Sequence, residues 1–204
     1  MTDAHTTVKQ AIIEGVKKFF RKVREQNPSE HFYAFALFTD TEFDSPVLAA
    51  NSREKLREQL ERYSPLDEGG MCFVKWNPGD WAYLGGAIIG AFDAFSEDDY
   101  PLPDYQVSME RSARLFGATI DGLKELSDEG FFGSGESRPT VFFTIADDGN
   151  AGWAERESAR WINPPEVFAE FDPEQWKAAR HWYLQDANKG KRLADEFYRI
   201  FGRR

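Results

Sequence analysis

The run His31-Phe-Tyr-Ala-Phe-Ala-Leu-Phe-Thr39 constrains this chain more than any other segment. It reads as a β-strand, and both of its alternating faces are apolar. Successive side chains of a strand point to opposite sides of the sheet. A strand that is apolar on both sides must therefore lie centrally and be covered on both faces. The rest of the chain has to provide those covers.

An amphipathic helix over about 7–25 is the first candidate cover. Val8, Ala11, Ile12, Val16, Phe19, Phe20 and Val23 recur at helical spacing, with Lys and Arg on the other face. Thr7 with Gln10 fits a capping box, and Asn27-Pro28 ends the helix. Residues 46–50 predict a second strand paired to the first, with Pro46 at its start. Asn51, with Glu54 three residues on, predicts a helix cap. Met71 to Trp76 reads as a third strand, and Asn77-Pro-Gly-Asp80 as a turn. Trp81-Ala-Tyr83 suits a short strand or a helix start, and 85–95 fits either a helix or a buried loop.

A long helix is predicted over about 105–128, with Gly130 just past its end in the left-handed role. Thr140 to Ala146 predicts another strand, turning at 147–150. Asp172-Pro-Glu-Gln175 carries a helix-start pattern: Asp as cap, Pro first, acid in the first turn. Helical spacing continues to Ile200. The expected fold is α+β: a mainly antiparallel sheet of about four to six strands. It is packed with an N-terminal amphipathic helix, a long central helix and C-terminal helices. The 204 residues suit a single domain, with 172–204 as a candidate C-terminal helical extension.

Charge narrows the partners. The net charge of -10 disfavours nucleic acid and anionic membranes, because phosphate contacts need a basic surface. It suits a basic protein. Cys72 is the single cysteine, so no intramolecular disulfide forms and a reducing compartment, the cytoplasm, is expected. Its apolar surroundings mark it as a packed thiol. No secretory pattern and no membrane-length apolar run is legible.

Catalytic patterns are not legible either. Gly133-Ser-Gly135 follows a helix and precedes a strand, the reverse of a phosphate loop. No Gly-x-Ser-x-Gly elbow occurs. His5, His31 and His181 stand in no metal-ligand spacing, so no metal or cofactor is expected. Glu97, Asp98, Asp99 and Asp104 form an acidic loop that lacks the calcium-loop pattern and suits a docking patch for a basic partner. Trp81 and Tyr83, on the Asn-Pro-Gly turn, are candidate interface anchors. Core packing is the competing reading of both.

Four segments, taken in order, resemble a known family. They are His31-Phe-Tyr-Ala-Phe-Ala-Leu, Lys75-Trp-Asn-Pro-Gly-Asp-Trp81-Ala-Tyr83, Ala118 to Phe131 ending a helix with Gly-Phe-Phe, and Glu157-Ser to Asn163-Pro164. Together they resemble the bacterial domain-of-unknown-function family 4303, over about residues 10–170. The resemblance implies a small bacterial cytoplasmic protein, and some similar ones are thought to act as immunity proteins beside polymorphic toxins. It carries no active-site residues. The leading expectation is a protein-binding protein, an immunity protein that neutralises a cognate toxin by occupying a basic toxin domain. The alternatives are a small-ligand module or enzyme whose site forms only in three dimensions, and a structural or regulatory subunit.

Overall fold

In the computed structural model β1 (Phe32–Thr39) lies inside a four-stranded sheet of order β3-β2-β1-β4. Residues 3–39, 46–88, 105–145, 152–182 and 187–202 are described. β2 (Val47–Ser52) runs antiparallel to β1, and β3 (Tyr83–Ala87) antiparallel to β2. β4 (Thr140–Ile145) runs parallel to β1 on its other side, so the sheet is mixed.

The central-strand expectation is met residue by residue. Phe35 and Leu37 enter one core cluster, Ala34 and Ala36 the other. The register with β2 shifts between Phe32 and Ala34. That irregularity breaks the alternation, so neighbouring Tyr33 and Ala34 both join the second cluster.

Helix α1 (Ala4–Gln26) covers the first face through Val8, Ile12, Val16 and Phe20. Its cap is Asp3, not Thr7: Asp3 Oδ1 accepts the Thr6 N–H at 3.0 Å. Helix α4 (Tyr105–Asp128) packs against α1 with Leu115, Phe116, Ile120 and Leu123 in the same core. Gly130 follows it at φ 72°, the left-handed conformation expected there.

Helix α2 (Arg53–Tyr63) is capped by Ser52, whose Oγ accepts the Lys55 N–H at 3.1 Å. Asn51, expected as the cap, belongs instead to β2 and is fully buried. Its amide donates to Gln59 at 2.9 Å. Residues 71–76 are not a strand but part of helix α3 (Glu68–Trp76), capped by Asp67. Gly70, Cys72, Val74 and Trp76 are buried, an alternation that mimics a strand. It arises because α3 buries two i,i+4 rows, packing on α6 and on α2.

Helix α5 (Trp153–Ile162) lies along β4, and α6 (Pro165–Trp182) packs on α3. The helix start expected at Asp172 is not one: Pro173 sits inside α6. Phe171 and Gln175 on either side of it are buried, so tertiary packing holds the helix through the missing Pro N–H. The true start is Pro165, also a proline at the first helical position. Helix α7 (Ala187–Phe201) packs on α4 and places Phe197 in the main core. The expected turns at 40–45 and 147–150 and the acidic loop at 96–104 lie outside the described residues.

Candidate functional site

A groove of about 840 Å³ opens beside the N-terminal ends of the parallel pair β1 and β4. Its walls come from six parts of the chain. The end of α1 brings Phe20 and Arg24, and the entry to β1 brings Glu30, His31 and Phe32. Arg53 and Leu56 of α2, Lys75 and Trp76 of α3, and the loop 132–139 complete one side. Helix α6 forms the other with Glu166, Val167, Glu170, Phe171 and Glu174. The spacing 166, 170, 174 puts three carboxylates on one helix face.

Two of the four cations here are fixed. Lys75 Nζ meets Glu174 Oε2 at 2.6 Å, and the Trp76 indole N–H donates to the same oxygen at 2.8 Å. Arg138 is unusual. It is only 8% exposed, yet among the described residues no carboxylate lies within ion-pair distance of it. Its Nη2 donates to Ser127 Oγ at 2.9 Å and Nη1 to the Gly133 carbonyl at 3.4 Å. Nη2 also reaches Asn163 Oδ1 at 3.5 Å, while Nε has no hydrogen-bond partner. Its guanidinium carbon lies 5.9 Å from the centre of the Phe132 ring. Burial pushes the Arg138 pKa down, opposed by the carboxylates of Glu166 and Asp128.

His31 stands on the exposed rim with its Nδ1 2.7 Å from Glu54 Oε1. The His31 backbone N–H and ring hold the Glu54 carboxyl down to about 2. Below the groove the Tyr33 hydroxyl donates to the Lys75 carbonyl at 2.6 Å, and burial pushes its pKa up. Among the described residues no group of three His, Cys, Asp or Glu side chains is placed to hold a metal ion. Among the same residues no helix is long and apolar enough to cross a membrane.

Trp81 and Tyr83, expected as neighbouring exposed anchors, are separated by the sheet. Trp81 is 3% exposed in the second core cluster, its ring 5.7 Å from Phe142 and its indole donating to the Lys75 carbonyl at 3.1 Å. It is a core residue, because it lies before β3, at the end of the short 3-10 helix Pro78–Asp80, and so does not share the strand face that Tyr83 occupies. Tyr83 is half-buried against the first cluster, 5.4 Å from the Phe32 ring. Glu97, Asp98, Asp99 and Asp104 lie outside the described residues. Cys72 is buried as expected, and burial raises its pKa.

Sequence reading missed Arg138 and the α6 carboxylates. The only local signal for Arg138 is a cation directly before an apolar strand, which is a common surface pattern. The carboxylate row was hidden by a misplaced helix start.

No curated protein and no solved structure matches the chain significantly. The profile of the family described as Domain of unknown function (DUF4303) matches residues 8–164 of the 204. The matched span runs from the core face of α1 through the groove loop to Pro164, and the chain belongs to the DUF4303 family.

Proposed function

We propose that this protein works by binding another protein, and that the groove receives a segment of that partner. The observation that carries this reading is Arg138, a buried guanidinium with an open Nε and, among the described residues, no carboxylate within ion-pair distance. A desolvated arginine gains most from a charge-assisted, bidentate partner. Its position suits an acidic side chain brought by another molecule. The exposed Glu166 and Glu170 offer the opposite charge across the groove, and Trp76 and Phe171 offer apolar contact. Arginine and aromatic side chains of this kind dominate interface energetics.

The specific form we put forward is neutralisation of a cognate toxin in the bacterial cytoplasm, the role implied by the resemblance. The net charge of -10 supports it by steering a basic toxin domain. The test is co-expression with the toxin encoded beside its gene. Survival with the wild-type chain and killing with folded Arg138→Met or Glu170→Arg supports the reading. Killing despite the wild-type chain, or full protection by both variants, overturns it.

A second reading, a small-ligand or enzyme site, is favoured by one observation. His31, oriented by Glu54, shares the groove with the α6 carboxylates, and about 840 Å³ lies within the range of small-molecule pockets. Thermal-shift screening of small carboxylates and phosphates against wild type and Arg138→Met tests it. A stabilising ligand whose effect vanishes in the variant favours this reading, and an absence of stabilisation counts against it.

A further inference from the structure

The groove has rims of opposite charge. Glu166 and Glu170, one turn apart on α6, are exposed along one side. Arg24 near the end of α1 and Arg53 at the start of α2 are exposed on elements of the other. The floor is aromatic: Phe20, Phe132, Trp76 and Phe171 line it and are buried. Glu174, next in the α6 row, is already held by Lys75 and the Trp76 indole. Two carboxylates of the row are therefore left to face a visitor.

The strand backbone at the groove is already engaged. β1 is paired on both sides, with Ala34 opposite Asn51 and Thr140. The His31 carbonyl accepts the Arg53 N–H at 2.9 Å, and Asn163 holds both backbone groups of Val141. A segment laid against these strands would gain no ladder, whereas a helix satisfies its own backbone. A helix with its side chains is about 10–12 Å across. A space of about 840 Å³ then accommodates roughly 9 Å of helix, about six residues at about 1.5 Å each. Glu166 and Glu170 are four residues apart, about 6 Å along α6, so one i,i+4 pair of a second helix matches their spacing.

We propose that the occupant of this groove is a short amphipathic helix of the partner, lying along α6 with basic side chains at i and i+4 against Glu166 and Glu170. The helix is the form that the protein-binding reading of the same groove takes, and it rests on that reading. Its apolar stripe covers Phe20, Phe132 and Phe171, and an acidic side chain on its other flank meets Arg24 or Arg53. Rims of opposite charge select a helix whose own charges are segregated. A helix that is basic on both flanks would meet like charge at the arginines.

The probe is a capped alanine-based peptide of about 15 residues, long enough to be helical. It carries a leucine stripe, Lys at i and i+4 on one flank and Glu on the other. The fluorescently labelled peptide is titrated with the full chain and followed by anisotropy. The expected result is saturable binding with a Kd on the order of 10⁻⁴ M. Glu166→Lys combined with Glu170→Lys, at two exposed positions, should weaken it about tenfold or more. A peptide with its lysines replaced by glutamate should bind that double variant at least about fivefold better than it binds wild type. A peptide with a central proline, which breaks the helix, should bind about tenfold more weakly than its parent. Absence of saturable binding at about 1 mM overturns the helix. So does equal binding of the proline peptide, or undiminished binding in the folded double variant. The toxin co-expression test separates these failures from failure of the wider reading. Loss of protection in Arg138→Met beside a failed peptide overturns the helix alone, whereas full protection by the groove variants overturns both.

Discussion

The side-chain amide of Asn163 binds both backbone groups of Val141. Its Oδ1 accepts the Val141 N–H at 2.9 Å, and its Nδ2 donates to the Val141 carbonyl at 2.6 Å. Ser158 does the same in part at Phe143: its hydroxyl accepts the N–H at 2.8 Å, and its one proton is shared between the Phe143 and Glu155 carbonyls, each at 3.1 Å. β4 is the last strand in the sheet order and has a strand neighbour, β1, on one side only. Helix α5 stands where a fifth strand would add, and Ser158 on it, with Asn163 at its C-cap, supplies polar groups in place of that strand. An open sheet edge is a template for aggregation, and here it is closed.

Asn163→Leu leaves two buried backbone groups without partners and removes an Arg138 contact. At about 1–3 kcal/mol for each lost partner, it should destabilise the fold by roughly 2–5 kcal/mol. Urea unfolding followed by circular dichroism measures this. Ser158→Ala should also lower stability, by removing the hydroxyl that binds Phe143. An unchanged midpoint in either variant would show that the edge is satisfied in some other way.

Glu155→Gln should change how stability depends on pH. The unfolded glutamyl carboxyl titrates near 4.5 and the folded one near 7. Between those values the folded chain holds a proton that the unfolded chain has released. Stability is therefore greatest below the lower value, falls as pH rises through the window, and is level above it. The fall is on the order of 3 kcal/mol for this group. The variant does not titrate, so its advantage over wild type should grow from pH 5 to pH 8 in paired urea titrations. A constant difference across that range would contradict a buried, proton-holding Glu155.

Trp81→Ala tests whether this residue is core or interface. Its burial against Phe142 and Tyr33 predicts a stability loss of about 3–5 kcal/mol, as for other buried aromatics cut to alanine. Thermal unfolding gives the answer. A variant of near wild-type stability that fails only in partner capture would restore the anchor role expected from the sequence.

Gly117 gives α7 its seat on α4. A Cβ at that position would run into the Phe201 ring. Gly117→Ala should therefore destabilise by about 1–3 kcal/mol, the usual range for overpacking. The effect should shrink in a Phe201→Ala background, where the ring is gone. A double-mutant cycle on denaturant midpoints measures the coupling, and strict additivity would separate the two residues.

Much of the framework was legible because it depends on local pattern. A strand apolar on both sides has to be central, and residues 32–39 are. The helical spacing of Val8 to Val23 and of Met109 to Leu123 marked α1 and α4, and Gly130 marked where α4 stops. Two elements were misread for opposite reasons. In α3 cover from both α6 and α2 lets 71–76 be an almost continuous apolar run, which reads as a strand. In α6 a strong start pattern at Asp172 was overridden by packing around Phe171 and Gln175.

The sequence by itself determined a layered α+β chain around one central strand, because side-chain periodicity decides which faces need cover. Only the tertiary structure decided where polar groups are stripped of water. Arg138 becomes a buried cation through Ser127, Gly133 and Asn163, and Glu155 becomes a raised carboxyl beside Thr144 and Gln175. Desolvation is set by whichever distant elements close over a group, and neither residue's neighbours in sequence carry that information. The same holds for Asn163: its amide serves as a strand only because α5 happens to lie along the free side of β4.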